Sequence, residues 1–170
     1  MGVAGSAGVP DLMSKEVVVS TFGDWLSESW EWDLFVTLTH DPDPTRGKAP
    51  DGTGGHTAYG WAASESHWRS FIREVERQGS PRGTFWFRGR EPNPARYGTH
   101  FHALIGGLGG VDVARLAPLR EWWWTRYGFN RIVQYEPGRG AGHYVGKYVA
   151  KQLGDLTFSP NAGQFQRKDS

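Results

Sequence analysis

The run from Gly98 to Gly107 constrains the fold more than any other stretch of the chain. It holds two histidines at alternate positions, His100 and His102, followed by apolar residues up to a pair of glycines. A short apolar run closed by glycines is typical of a β-strand, in which residues two apart point to the same face. The two imidazoles are therefore predicted to lie side by side. That arrangement suits a two-histidine metal site, and it equally suits a half-exposed strand that binds nothing.

The composition excludes several classes of site. The chain has 170 residues and no cysteine, so we expect one domain with its own core and without disulfides, zinc–thiolate sites or a cysteine nucleophile. No apolar run is long enough to span a membrane, and the first residues lack the layout of a signal peptide. We expect a cytoplasmic protein with no membrane partner.

The formal net charge of +1 conceals a marked asymmetry along the chain. Residues 1–60 carry three Lys or Arg against nine Asp or Glu, whereas residues 61–154 carry fourteen against seven. The basic part holds the histidine pair and interleaves arginine with aromatic residues, which is typical of nucleic-acid binding. Arg88, Arg90 and Arg139 are predicted DNA contacts. The alternative is that such arginines only solvate the surface.

The predicted domain occupies residues 17–154. A Gly-rich N-terminal tail, 1–16, precedes it and a polar C-terminal tail, 155–170, follows it, and both tails are expected to be flexible. Within the domain, residues 40–60 form a long loop rich in Pro, Gly, Asp and Thr. Loops of this length inside a domain are usually functional or disordered.

Periodicity and turn residues divide the domain into helices and strands. The predicted elements are, in order, helix 20–30, strand 32–39, helix 61–78, strand 84–91, strand 98–107, helix 112–127, strand 129–135 and helix 143–153. From the first strand to the last, this is the split βαβ order of a ferredoxin-like antiparallel sheet with helices packed on it. The predicted fold class is α+β with an added C-terminal helix. The tryptophans 122–124 cannot share one helix face, so one is expected in the core and at least one at the surface.

Glu91 is the carboxylate expected nearest to the histidines. The strand that ends there and the histidine strand form a predicted hairpin with a long connection, which brings the end of the first strand beside the start of the second. A carboxylate at that position reaches a metal held by His100 and His102. It equally suits an exposed strand end.

The last predicted helix carries two pairs of reactive side chains. Tyr144 and Tyr148 are four residues apart, as are Lys147 and Lys151, so each pair stacks on one side of a helix. A phenol helped by a nearby cation is a candidate nucleophile, and lysines stabilise the charge that develops during phosphoryl transfer. These residues therefore indicate transesterification of a phosphodiester. The alternative is that the tyrosines are packed aromatics with solvated lysines beside them.

Three segments, in this order along the chain, resemble motifs of the HUH endonucleases. Residues 35–39 resemble the first motif of the rolling-circle replication initiators, or Rep proteins, in that superfamily. His100-Phe101-His102 is similar to the histidine-hydrophobe-histidine motif, and residues 144–151 resemble the tyrosine motif. The paired tyrosines are similar to those of phage initiators, in which two tyrosines alternate. The segment is also similar to that of plasmid initiators in which only the second position is tyrosine and the first is glutamate.

The resemblance implies a metal-dependent endonuclease that nicks single-stranded DNA at a hairpin replication origin. It implies a phosphotyrosine intermediate on the 5′ phosphate, a free 3′ hydroxyl that primes rolling-circle replication, and Mg²⁺ or Mn²⁺ as cofactor. A host helicase and polymerase are implied as partners, because the chain has no nucleotide-triphosphate motif. The implied site residues are the metal ligands His100, His102 and Glu91 and the catalytic Tyr148, Tyr144, Lys147 and Lys151, with Tyr148 favoured as the first nucleophile.

Two other functions fit parts of the pattern. A related HUH transposase shares the histidines and a helical tyrosine, but the lysine-rich double-tyrosine segment and the strand 35–39 favour the initiator. A non-catalytic ferredoxin-like module that binds nucleic acid would instead use the strand aromatics Phe85, Trp86 and Phe87 as stacking platforms. Such a module would bind without metal and would form no covalent adduct.

Overall fold

The part of the chain that the structure describes is an α+β arrangement with a five-stranded antiparallel sheet and three α-helices. It is a computed structural model that describes residues 15–40, 61–79, 83–93, 98–110, 112–138, 140 and 155–167. The elements are α1 (Lys15–Ser29), β1 (Leu34–Thr39), α2 (Trp61–Arg77), β2 (Phe85–Asn93), β3 (Gly98–Gly106), α3 (Val113–Arg126), β4 (Asn130–Gln134), β5 (Asp155–Phe158) and a 3₁₀ turn (Ala162–Phe165). The predicted α+β class is confirmed.

The strand order in the sheet is β4-β1-β3-β2-β5, so the histidine strand β3 lies at the centre. Every neighbouring pair is antiparallel. In this register His100 lies opposite Thr39 of β1 on one side and opposite Glu91 of β2 on the other. Residues directly opposite in an antiparallel pair share a face of the sheet. The register therefore places these three side chains on one face.

The alternation of side chains along the strands gives the sheet two apolar faces. One face of β1, with Val36 as its centre, packs together with α2 and α3 in the larger core. On the opposite face of the sheet, Phe35 of β1 and Leu104 of β3 pack against the end of α1 and against the C-terminal segment. We call these the α2–α3 face and the α1 face.

The helices follow the predicted apolar stripes. In α2, Trp68 and Phe71 are fully buried at the spacing expected for one helix face. Helix α3 begins at Asp112, whose carboxylate accepts a hydrogen bond from the Ala114 N–H at 2.9 Å, as an N-cap does. Of the three tryptophans in α3, Trp123 is fully buried and Trp124 is 38% exposed, which confirms the predicted division.

The predicted tails differ from the structure. Helix α1 begins at Lys15, inside the predicted N-terminal tail. The predicted loose C-terminal tail is wrong for residues 155–167, because β5 pairs with β2 and the chain after it packs on the sheet. The Ala162 carbonyl accepts a hydrogen bond from Trp30 Nε1 at 2.9 Å, and the backbone N–H of Arg167 donates to Ser29 at 2.8 Å. Polar composition concealed these few anchoring contacts.

Of the predicted loop 40–60, the structure describes only His40, which is buried. Within the described ranges, no helix has the length and apolar character needed to cross a membrane.

Candidate metal and nucleic-acid site

His100 and His102 lie on β3 on the α1 face of the sheet. Their rings are nearly parallel, at an interplanar angle of 21° and a centroid distance of 6.0 Å. His102 is buried and His100 is half-buried. The predicted strand and the shared face are confirmed, because Phe101 between them belongs to the opposite core.

Two threonine hydroxyls of β1 fix the orientation of the two rings. Thr39 Oγ1 lies 2.8 Å from His100 Nδ1, and Thr37 Oγ1 lies 3.2 Å from His102 Nδ1. When Nδ1–H donates to the hydroxyl, the lone pair of the neutral imidazole is on Nε2. This is the tautomer in which a histidine binds a metal through Nε2 while a second group holds its other nitrogen. The threonines therefore hold both rings at the same atom, Nδ1.

Glu91 joins the histidines on this face. Strand β2 continues past the predicted end at Glu91 to Asn93, and Glu91 lies directly opposite His100. Its Oε1 is 3.6 Å from His102 Nε2, and its side chain is 22% exposed. The carboxylate thus faces the nitrogen that would bind a cation, as the sequence predicted for the neighbouring strand.

The ligand types fit a divalent cation. Mn²⁺ accepts both imidazoles and carboxylates, whereas Mg²⁺ prefers the carboxylate. As the side chains stand, the described ranges contain no group of three His, Cys, Asp or Glu side chains close enough to share one ion. The paired rings and Glu91 would have to draw together around the cation. Their common face and the 3.6 Å approach of Glu91 to His102 make that a local movement of side chains.

A second histidine pair lies buried on the other face of the sheet. His40 Nε2 is 3.0 Å from His67 Nδ1, and His40 Nδ1 is 2.7 Å from the Thr99 hydroxyl. The backbone N–H of His40 donates to the Thr99 carbonyl at 3.1 Å, so His40 holds the end of β1 to the start of β3. Burial, assisted by the nearby His67, lowers the pKa of His40 to about 3. The His40 ring is therefore neutral at physiological pH.

We expect the free energy of unfolding to fall as the pH is lowered from about 6.5. His40 takes up a proton near pH 6.5 in the unfolded chain but only near pH 3 in the folded protein, so the unfolded state binds more protons between these values. The loss is at most about 1.4 kcal/mol per pH unit. Urea unfolding at several pH values measures it. The substitution His40→Asn should flatten the slope above pH 5, and an equal slope in wild type and variant would contradict the assignment.

The predicted DNA contacts Arg88 and Arg90 are wrong, because both side chains are buried. They lie on the α2–α3 face, where Arg88 forms an ion pair with Glu65 of α2 and Arg90 Nη1 lies 3.7 Å from the same carboxylate. Burial raises the pKa of Glu65, but hydrogen bonding to Arg88 and the nearby positive charges outweigh it and hold the pKa below its usual range. These two strand arginines therefore neutralise a carboxylate within the protein and do not form part of its surface.

The strand aromatics offered as stacking platforms are also core residues. Phe85 and Phe87 are at most 2% exposed and pack in the core on the α1 face. Trp86 is half-buried and packs against the opposite core. These three rings therefore do not form the exposed stacking surface that was expected for a non-catalytic module.

Five predicted site residues lie outside the described residues, namely Tyr144, Tyr148, Lys147, Lys151 and Arg139. Of the predicted site residues, the structure places His100, His102 and Glu91 on one face of the sheet, with Glu91 3.6 Å from His102. The tyrosines and lysines remain predictions from the sequence.

Sequence reasoning missed the two threonines that orient the histidines. The signal was present, because Thr37 and Thr39 alternate in the same way as His100 and His102. Finding it required the pairing of β1 with β3 and their register, which the separate strands do not reveal. The buried pair of His40 and His67 gave no comparable signal, since one residue follows a strand and the other lies within a helix.

Comparison of the chain with protein-family models, curated proteins and solved structures gave no match.

Proposed function

We propose that this protein is a metal-dependent endonuclease that nicks and joins single-stranded DNA at a replication origin through a phosphotyrosine intermediate, as an HUH-type initiator of rolling-circle replication. The observation that supports it most is the pair of parallel imidazoles on β3, each bound to a threonine hydroxyl through Nδ1, with Glu91 beside them. Both rings are held at the same nitrogen by hydroxyls of the neighbouring strand, so in the tautomer with a proton on Nδ1 both would present Nε2 as the metal-binding atom.

The strand order supports the corresponding fold. Strands β4-β1-β3-β2, with α2 and α3 as the connecting helices on one face, follow the order of a split βαβ arrangement. We infer a ferredoxin-like architecture for this part, to which α1 and β5 are additions. The histidines then lie on the sheet face away from the two crossover helices.

The length of the chain supports access of the tyrosines to this face. Residue Asp155 begins β5 and pairs with Arg90, the neighbour of Glu91. Tyr148 precedes Asp155 by seven residues, a tether that spans at most roughly 25 Å when fully extended. Two strand spacings, about 10 Å, separate β5 from β3. The tether is therefore long enough for the phenol to reach a phosphate held at the histidines.

In the proposed reaction the Tyr148 oxygen attacks the phosphorus, forming the O–P bond while the bond from phosphorus to the 3′ oxygen breaks. The phenol proton passes to water, and the leaving 3′ oxygen takes up a proton to become the 3′ hydroxyl. Lys147 and Lys151 offset the negative charge of the transition state. His100, His102 and Glu91 would hold a divalent cation, which supplies Lewis-acid polarisation of the phosphate. In a second cleavage the Tyr144 oxygen attacks another phosphodiester in the same way. The 3′ hydroxyl released there attacks the Tyr148 phosphotyrosine, forming the new O–P bond while the bond from phosphorus to the Tyr148 oxygen breaks, and the phenol regains a proton.

A denaturing gel tests this proposal. The full chain is incubated with Mn²⁺ and end-labelled single-stranded DNA that carries mixed candidate origin hairpins. We expect a covalent protein–DNA band that requires the metal, weakens in Tyr144→Phe or Tyr148→Phe, and vanishes when both are replaced. Tyr135→Phe is the matched control, because Tyr135 is buried at the far end of β4 and should retain the band.

The outcome also separates the alternatives. DNA retained on a native gel without any covalent band, for every metal and origin tested, would favour a non-catalytic module. Covalent joining to transposon ends in preference to origin hairpins would favour the transposase. A band that survives replacement of both tyrosines would contradict the assigned nucleophiles.

A further inference from the structure

An exposed arginine shares the row of side chains that contains His102. Arg131 of β4 lies opposite Thr37, and Thr37 lies opposite His102, so the three residues form one row across β4, β1 and β3. Partners in a row share a face. Arg131 is therefore on the histidine face, two strand spacings or roughly 10 Å from His102 along the sheet.

The Arg131 side chain is exposed, and no hydrogen bond or ion pair links it to another described residue. This sets it apart from Arg88 and Arg90, which are buried against Glu65 on the opposite face. A guanidinium presents several N–H donors in a planar fork that matches the oxygens of a phosphate. The β4 side of the histidine face therefore offers hydrogen-bond donors that could bind a phosphate.

Two exposed aromatic rings lie at the start of the same strand. Trp124 and Phe129 are 38% and 37% exposed, and their rings meet edge to face at a centroid distance of 5.1 Å. Among the described residues only two other large apolar side chains, Val17 and Trp25, are as exposed. Exposed apolar residues are ordinary when single, but two in contact form a patch.

The patch is joined to the histidine site through the backbone. The Phe129 carbonyl accepts a hydrogen bond from the Thr39 N–H at 2.8 Å, and the Thr39 hydroxyl holds His100. Only strand β1 therefore separates Phe129 from the first histidine, and Trp124 of α3 contacts Phe129 at this edge of the sheet. Arg126, at the end of α3, adds an exposed positive charge beside Trp122.

We propose that Arg131 and the Trp124–Phe129 pair form a binding surface for single-stranded DNA along β4, in which the guanidinium binds a backbone phosphate and the aromatic pair stacks against an unpaired base. Positive charge combined with aromatic faces is the chemistry that binds single strands without reading their sequence. The inference rests on the proposed function and deepens it, because it states where the DNA next to the nicked phosphate lies.

The test measures binding of a fluorescently labelled, mixed-sequence single-stranded DNA by anisotropy, from about 50 to about 200 mM NaCl. The protein is the full chain with Mn²⁺ and with both tyrosines 144 and 148 replaced by Phe, so that no cleavage intervenes. Each cation–phosphate contact contributes about 0.7 to the slope of log affinity against log salt for single strands. We expect Arg131→Gln to lower the slope by about this amount and Arg131→Lys to retain most of it.

Arg73→Gln is the matched control, since it removes one exposed charge from α2 on the opposite side of the sheet. For the aromatic pair, Trp124→Leu and Phe129→Leu keep an apolar surface and are expected to lower affinity about tenfold at every salt concentration, with an unchanged slope. Trp25→Leu, an exposed tryptophan of α1, should leave affinity unchanged. Melting temperatures confirm that each variant is folded.

The inference fails if Arg131→Gln and Arg73→Gln shift the slope equally, or if the leucine variants bind like wild type. Formation of the covalent band by the wild-type chain, together with these negative results, would remove the β4 surface and leave the proposed function intact. Absence of both the band and any binding of single-stranded DNA would overturn both.

Discussion

Replacing His102 with alanine will abolish metal-dependent formation of the covalent DNA adduct, lowering its rate by at least about a thousandfold. A bound metal supplies several kcal/mol of transition-state stabilisation, and each 1.36 kcal/mol is a factor of ten in rate. His102 is 4% exposed and its Nε2 lies 3.6 Å from Glu91, so its replacement by alanine removes the imidazole that faces the carboxylate. The same loss is expected for His102→Gln, which retains more of the buried volume.

Metal binding itself gives a second readout, independent of the reaction. Titration calorimetry with Mn²⁺ alone should show binding to the wild-type chain and none to either His102 variant. The substitution Thr39→Val should weaken Mn²⁺ binding by about 10- to 100-fold, as is typical when a ligand loses the group that orients it. The valine variant keeps the ligand, so its rate should recover at high Mn²⁺.

Thr125→Val is the matched control for the threonine. Thr125 lies on the exposed side of α3, where its hydroxyl donates only to backbone carbonyls of the same helix. Its replacement should change neither the Mn²⁺ affinity nor the rate. Unchanged Mn²⁺ affinity in both His102 variants would show that the ion binds elsewhere, and the metal site assigned to the α1 face would then be wrong.

The fold was largely predictable because most of the chain has a clear period. The stripe of α2 and the apolar strand that includes Val36 have the spacings of a helix and a buried strand, and both lie where they were predicted. The C-terminal segment was missed for a physical reason. Strand β5 is short and belongs to a polar stretch, and its order comes from pairing with β2 and from contacts such as that of Trp30 with Ala162. Contacts with distant residues leave no local period.

The site was predictable only where alternation within a single strand decides the outcome. The shared face of His100 and His102 follows from their spacing, whereas the approach of Glu91 depends on the hairpin register. The arginines show the limit of such reasoning. Arg88 and Arg131 are both basic strand residues, yet one is buried in an ion pair and the other is exposed on the histidine face. Arg88 is buried because α2 covers its side of the sheet and supplies Glu65, whereas Arg131 is exposed. The local sequence of a strand does not specify which helix covers it.

The substitution Gly107→Ala is expected to lower the free energy of unfolding by about 2–6 kcal/mol. Gly107 has a φ of +89°, a conformation that costs an L-residue about 1–3 kcal/mol. A Cβ at this position would also overlap the Gly83 carbonyl oxygen, and that backbone atom cannot move aside as a flexible side chain can. Overpacking of this kind typically adds about 1–3 kcal/mol. Urea unfolding measures the sum.

The neighbouring Gly110 separates the two causes. Its φ of +95° is nearly the same, but a Cβ there would have no atom within 4 Å. Gly110→Ala should therefore cost only about 1–3 kcal/mol, which is the cost of the positive φ alone. Equal losses for the two variants would show that the backbone of Gly83 does not press on Gly107. A larger loss for Gly107 would mean that close packing against Gly83 stabilises the turn after β3, the strand that sets His100 beside Thr39 and Glu91.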